Sequence, residues 1–123
     1  MQSTIGAWIV VGSLLAGCAA GVEPRPPFSE TDGVRFTVRL PSAQSVAVAG
    51  GFNAWSAAGH PMTRAGSDGL WSVVIPLPPG EHPFMYVVDG AQWLTPPQAE
   101  DYVEDGFGNR NGLAVVRERE GQR

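Results

Sequence analysis

Four kinds of side chain in this 123-residue sequence could do chemistry: four tryptophans, two histidines, one cysteine and a cluster of carboxylates. His60 and His82 each stand beside a proline, with no second histidine, cysteine or carboxylate at ligand spacing. They read as turn or surface residues rather than a metal pair or a general base. Glu100, Asp101, Glu104 and Asp105 invite a calcium claim, but Phe107 stands where an EF-hand loop requires an oxygen ligand, so a solvated acidic loop is expected. Gly66-Ser67-Asp68-Gly69 lacks the spacing of a nucleophile elbow. Gly106-Phe107-Gly108 meets Asn111 where a dinucleotide fingerprint needs its third glycine. No catalytic residue, metal centre or cofactor is predicted, and the chain is not expected to be an enzyme.

Tryptophan in turn-rich contexts is the positive signal. Trp55 lies in Gly51-Phe52-Asn53-Ala54-Trp55-Ser56, and Trp93 lies just past Asp89-Gly90. Phe107, Asn109 and Asn111 lie in a glycine-punctuated loop before the last expected strand. A sugar ring presents a CH-rich face and a rim of hydroxyls. Flat indoles match the first, and amides, which donate and accept, match the second. Trp71, in the strand-like Gly69-Leu70-Trp71-Ser72-Val73, is expected in the core, and Trp8 falls in the apolar N-terminal segment. For Trp55 and Trp93, residue chemistry alone leaves core and sugar platform equally open.

The elements that must position these residues are short strands. Charged residues make only 16% of the chain, while 16 glycines and 11 prolines imply many turns. Val34 to Leu40 alternates apolar and polar without a break, which predicts a half-buried strand. Further strands are predicted at Val46 to Ala49, Leu70 to Leu77, Phe84 to Val88, Gln92 to Leu94 and Leu113 to Val116. Asp89-Gly90 suits a tight hairpin whose central residues need positive φ. No helical period appears, so an all-β antiparallel sandwich is expected. The apolar fraction of 43% supports a packed core. All eight basic residues are arginine and the net charge is −4; with no basic cluster, no nucleic-acid partner is expected.

Met1 to Val22 carries no charged side chain, and its apolar run is too short for a typical membrane span. The run ends in Leu15-Ala16-Gly17-Cys18, which resembles the bacterial lipobox. That resemblance implies a signal peptide over 1–17, a lipidated Cys18 and an exported protein anchored in a membrane, with the outer membrane favoured because Ala19, not Asp, follows the cysteine. The alternative is an uncleaved membrane helix. Residues 18–31, with three prolines in four positions at Pro24 to Pro27, read as a linker. The domain is expected over 32–117, followed by a polar tail over 118–123.

Val48-Ala49-Gly50-Gly51-Phe52-Asn53-Ala54-Trp55-Ser56 resembles the signature of the glycogen-binding module of the AMP-activated protein kinase β subunit. The similarity continues through Pro61 to Arg64, Gly69 to Trp71, Leu77 to Gly90 and Gly108 to Asn111. The wider group is carbohydrate-binding module family 48, the isoamylase N-terminal or early-set domain. The resemblance implies an immunoglobulin-like early-set sandwich and α-1,4-glucan, as polysaccharide or maltooligosaccharide, as ligand. By position it implies carbohydrate-binding roles for Trp55, Trp93, Phe107, Asn109 and Asn111. A sugar-bonding lysine of the kinase module falls on Met85, which has no donor; Gln92 and Arg110 are the nearby donors that could replace it. A second expectation, motivated by Met85, is an envelope interaction module that binds another exported protein instead of sugar.

Overall fold

A computed structural model describes residues 23–66 and 68–118. The signal-peptide segment 1–17 with Trp8, Cys18 with its lipidation, and nearly all of the polar tail lie outside the described residues. Among the described residues, ten strands and one 3₁₀ turn make up the regular structure. They are β1 (Phe28–Glu30), β2 (Gly33–Arg39), β3 (Val46–Gly50), the 3₁₀ turn (Gly51–Asn53), β4 (His60–Pro61), β5 (Thr63–Arg64), β6 (Leu70–Ile75), β7 (Gly80–Val88), β8 (Gln92–Leu94), β9 (Asp101–Glu104) and β10 (Arg110–Val116).

The strands form two antiparallel sheets. The smaller has the order β1-β2-β6-β5; the larger has the order β4-β3-β7-β10-β9, with β8 paired to the remaining length of β7. Between them, Phe36 meets Phe84 edge-on at a centroid distance of 4.9 Å, and Phe84 meets Tyr86 in the same manner at 5.4 Å. The Tyr86 hydroxyl donates to the Thr37 carbonyl at 3.2 Å, so the one polar tip among these rings is satisfied. Burial pushes the Tyr86 phenol well above its ordinary pKa and keeps it a neutral donor. Trp71 is core, as expected: it is 4% exposed, and its Nε1 donates to the Leu40 carbonyl at 3.1 Å.

The all-β sandwich and every strand expected from the pattern are present, with corrections. β7 begins at Gly80, four residues before the expected start, and runs through Pro83. Pro83 is tolerated because β3 ends at the Gly50–Phe84 pair, so no β3 carbonyl waits for the missing N–H. β10 begins at Arg110 rather than Leu113, because β9 pairs with its first four residues. The expected acidic loop is therefore partly strand: Asp101 and Glu104 lie in β9, while Glu100 precedes it and Asp105 follows it.

The linker also ends earlier than residue 31. β1 pairs with β2 from Phe28 to Glu30, Pro27 is buried, and Arg25 bonds Thr37 Oγ1 through its N–H at 3.1 Å and its carbonyl at 3.3 Å. The outer face of the smaller sheet thus carries the entering chain.

Candidate functional site

Strand alternation sorts the larger sheet into two faces. Val46, Val48, Phe84, Tyr86 and Ala114 enter the core. Ala47, Ala49, Met85, Val87, Asn111 and Leu113 therefore lie on the other face, where Ala47, Ala49, Val87 and Leu113 are buried and Met85 and Asn111 are partly exposed. The registers Ala47–Val87 and Val87–Trp93 set Trp93 in a row with two small apolar residues. One step along, Ala49 pairs with Met85. Asn111, one residue beyond the Gly112–Phe84 pair, falls beside Met85, and Val103 pairs with Asn111 on its far side. Beside the first row lies a depression of about 190 Å³, lined by Ala47, Ala57, Ala58, Pro61, Val87 and Gly90.

Trp55 follows the end of β3. The chain turns sharply there because residue 50 is glycine: a Cβ would stand 2.5 Å from both the Phe52 ring and the Pro83 carbonyl oxygen. Asn53 then clamps the turn. Its Oδ1 accepts from Gly50 N–H at 3.0 Å, its Nδ2 donates to the Val48 carbonyl at 2.9 Å, and the same Nδ2 lies 2.8 Å from His60 Nδ1. Ala54 and Trp55 follow at φ 59° and 56°, a left-handed pair that each non-glycine residue adopts at a cost of about 1–2 kcal/mol. The result is an indole 36% exposed, held by a strained and over-determined backbone.

Trp93 is positioned by the hairpin before it. Asp89 and Gly90 adopt φ 54° and 74°, which is the mirror-image turn the sequence predicts. Asp89 Oδ1 accepts from Gln44 N–H at 2.7 Å and Ser45 N–H at 3.1 Å, tying the hairpin to the β2–β3 connection. Trp93 itself is 45% exposed.

The third wall is the β9–β10 loop. Asp105 Oδ1 accepts from the backbone N–H groups of Phe107 at 2.7 Å and Asn109 at 3.1 Å, while Asp105 N–H donates to the Asn109 carbonyl at 3.0 Å. Gly106 and Gly108 flank Phe107 at φ 85° and 95°, and the knot leaves the Phe107 ring 88% exposed. The Phe107 N–H, followed by the Asn109 groups, holds the Asp105 carboxyl below its usual pKa.

Trp93, Met85 and Asn111 thus share one face, Trp55 follows the turn at the end of β3, and Phe107 and Asn109 lie in the β9–β10 loop. The two expected substitutes for the missing lysine do not join them. Gln92 precedes Trp93 on β8 and turns to the other side, where it lines a separate cavity. Arg110 stacks over the Tyr102 ring at 4.4 Å. Residue-type reasoning also missed Asn53, Asp89 and Asp105 as site builders. Asx side chains in turns were the available signal, but their partners are set by tertiary contact. What the arrangement can do is hold a neutral ligand with a flat apolar face and a hydroxyl rim; among the described residues no cluster suited to a metal ion occurs.

Comparison with known proteins agrees with this geometry. The family model described as carbohydrate-binding module 48 (isoamylase N-terminal domain) matches residues 20–105, which include Trp55, Met85 and Trp93 and end just before Phe107. The chain is 52% identical over 44 residues to a 1,4-alpha-glucan branching enzyme of Streptomyces coelicolor, covering 36% of this chain and 6% of that protein. It is 42% identical over 69 residues to a second such enzyme, from Rhizobium johnstonii, covering 55% of this chain and 9% of that one. It is 49% identical over 47 residues to the Thermobifida fusca enzyme, covering 38% and 6%. The chain therefore spans less than a tenth of the length of these relatives. With an early-set immunoglobulin-like sandwich and a match over more than half its residues, the chain belongs to the carbohydrate-binding module 48 family.

Proposed function

We propose that this chain is a non-catalytic α-1,4-glucan-binding module, exported and held at a bacterial membrane, the outer one in a two-membrane cell, by lipidated Cys18. What supports the binding function is the exposure of two indoles, Trp55 after β3 and Trp93 on β8, with Trp93 on the same sheet face as Asn111. Each indole covers the CH face of a glucosyl ring, Phe107 pushes into the concave side of a coiled glucan, and Asn109 and Asn111 bond its hydroxyls. The relatives being 1,4-alpha-glucan branching enzymes supports the choice of glucan. The export reading rests on the cysteine and its preceding residues alone.

The test is native affinity electrophoresis of the full chain, solubilised in a sugar-free detergent, in gels with and without glycogen. Glycogen retards the protein, maltoheptaose competes the retardation away, and Trp55→Ala or Trp93→Ala removes most of it. Retention unchanged in both variants would refute the assignment. Absence of retention in folded wild type would instead support an envelope protein-interaction module. For the anchor, Cys18→Ser is expected to move the protein from the membrane to the soluble fraction; unaltered fractionation overturns lipidation at that residue.

A further inference from the structure

One cavity has Trp93, but not Trp55, among its lining residues. It occupies about 390 Å³ at the end of the sandwich, between the β2–β3 connection and the underside of β8. That volume falls within the range of small-molecule sites. Its floor is apolar: Leu40, Val88 and Leu94. Around them stand Ser42, Asp89 and Gln92, a hydroxyl, a carboxylate and a carboxamide. Asp89 spends Oδ1 on the Gln44 and Ser45 N–H groups, which fixes the wall, while Oδ2 accepts no hydrogen bond among the described residues. The lining contains no cation, so a phosphate or carboxylate ligand finds no charge partner. An acceptor-rich rim over an apolar floor suits vicinal hydroxyls on a ring with a CH face.

β8 joins the two regions. Gln92 and Leu94 line the cavity from one face of β8, and Trp93, paired with Val87 on the other face, lines it as well. We infer that this cavity is a second sugar subsite, taking a neutral hexopyranose unit, and that the chain binds oligosaccharide on both sides of β8. The inference rests on the proposed glucan-binding function. The clamp from Asp89 to the β2–β3 connection makes the cavity pre-formed, so occupancy needs no rearrangement of the hairpin.

The experiment is a titration of the full chain with maltotriose in a sugar-free detergent, followed by NMR of the Trp55 indole N–H, the Gln92 side-chain amide and the Leu40 and Leu94 methyls. Wild type is expected to show both groups of signals moving, with two apparent affinities. In Trp55→Ala the Gln92, Leu40 and Leu94 signals still move. In the double variant Ser42→Ala, Gln92→Ala the Leu40 and Leu94 shifts require about tenfold more sugar, from the loss of two neutral hydrogen-bonding groups, while the Trp55 response is retained. A moving Trp55 signal with silent Gln92, Leu40 and Leu94 overturns the subsite and leaves the indole face standing. Silence at every probe overturns both. Cavity shifts unaffected by the double variant overturn the assignment of its rim.

Discussion

Replacing Asn53 by alanine tests how the turn positions an indole that Asn53 itself does not touch. The side chain makes one bond to the Gly50 N–H and one to the Val48 carbonyl, and it approaches His60. Two neutral bonds are worth about 1–3 kcal/mol together. A domain of this size shifts its melting temperature by about 4–8 °C per kcal/mol, so a loss near the middle of that range lowers Tm by ~8–16 °C. The consequence for binding is bounded separately. Trp55 is 36% exposed, which is about 90 Å² of an indole side chain of ~250 Å². A sugar ring that covers half to all of it gains about 1–2 kcal/mol at ~25 cal/mol/Å², a factor of roughly 5–40 in Kd.

The Asn53→Ala protein, held well below its Tm, is therefore expected to lose glucan affinity by a factor within that range and no more. Without the clamp, the left-handed Ala54–Trp55 pair relaxes toward ordinary backbone and the indole loses its fixed position. Trp55→Ala and the double variant should bind alike, because Asn53 acts only through Trp55. Circular dichroism melts give the stability, and calorimetric titration with maltoheptaose gives the affinity. A variant that melts ~10 °C lower yet binds maltoheptaose like wild type would show that the clamp stabilises the fold without placing Trp55. An unchanged Tm would refute the hydrogen-bond accounting itself.

Asp105→Ala should weaken glycogen retention at every pH by freeing the Phe107 loop, whereas Asp105→Asn, which keeps an acceptor oxygen, should retain most of it. Because the folded-state pKa of Asp105 lies below its unfolded value, the loop knot is intact above the ordinary aspartate range and is lost as pH falls through the depressed value. Wild-type retention is therefore flat from neutral pH down to about pH 4 and declines below it, and a decline beginning near pH 6 would point to another group. Met85→Lys places an ammonium beside Asn111 on the same sheet face and is expected to tighten maltoheptaose binding by about tenfold, measured by the same titration. No gain would mean that bound sugar does not pass over this strand.

Elements with a face to bury were legible, and their pairing was not. The alternation Val34-Arg35-Phe36-Thr37-Val38 announces β2 because the core takes every second residue. The first residues of β7 announce nothing, since Gly80 to Pro83 are poor strand formers recruited by the pairing of β10 with them. β9 was hidden in a similar way: Asp101 and Glu104 suggest solvent, yet the strand exists because Arg110 to Leu113 offer it a ladder. The prolines before β1 suggest an extended spacer, but Pro27 is buried and Arg25 is pinned by Thr37, a residue twelve positions away that no local pattern reveals.

The same division runs through the site. Candidate contact residues were nameable because indoles and amides declare their chemistry, and a local motif carries Trp55. Direction is decided by parity along a strand, and parity needs a register. Gln92 and Arg110 were plausible donors by sequence distance, but each sits one residue from a face residue, Trp93 or Asn111, and so turns away from that face. Parity also explains why the face is so apolar. With both donors turned away, the middle of this face consists of Ala47, Ala49, Met85 and Val87, of which only Met85 is partly exposed, so under the proposed function affinity rests on the indoles and the margin loop. Residues that touch no ligand therefore govern the site: Gly50 and Asn53 for one indole, Asp89 for the other, Asp105 for the phenyl ring. Each acts through backbone groups, which all residue types share, and that is why side-chain chemistry alone did not announce them.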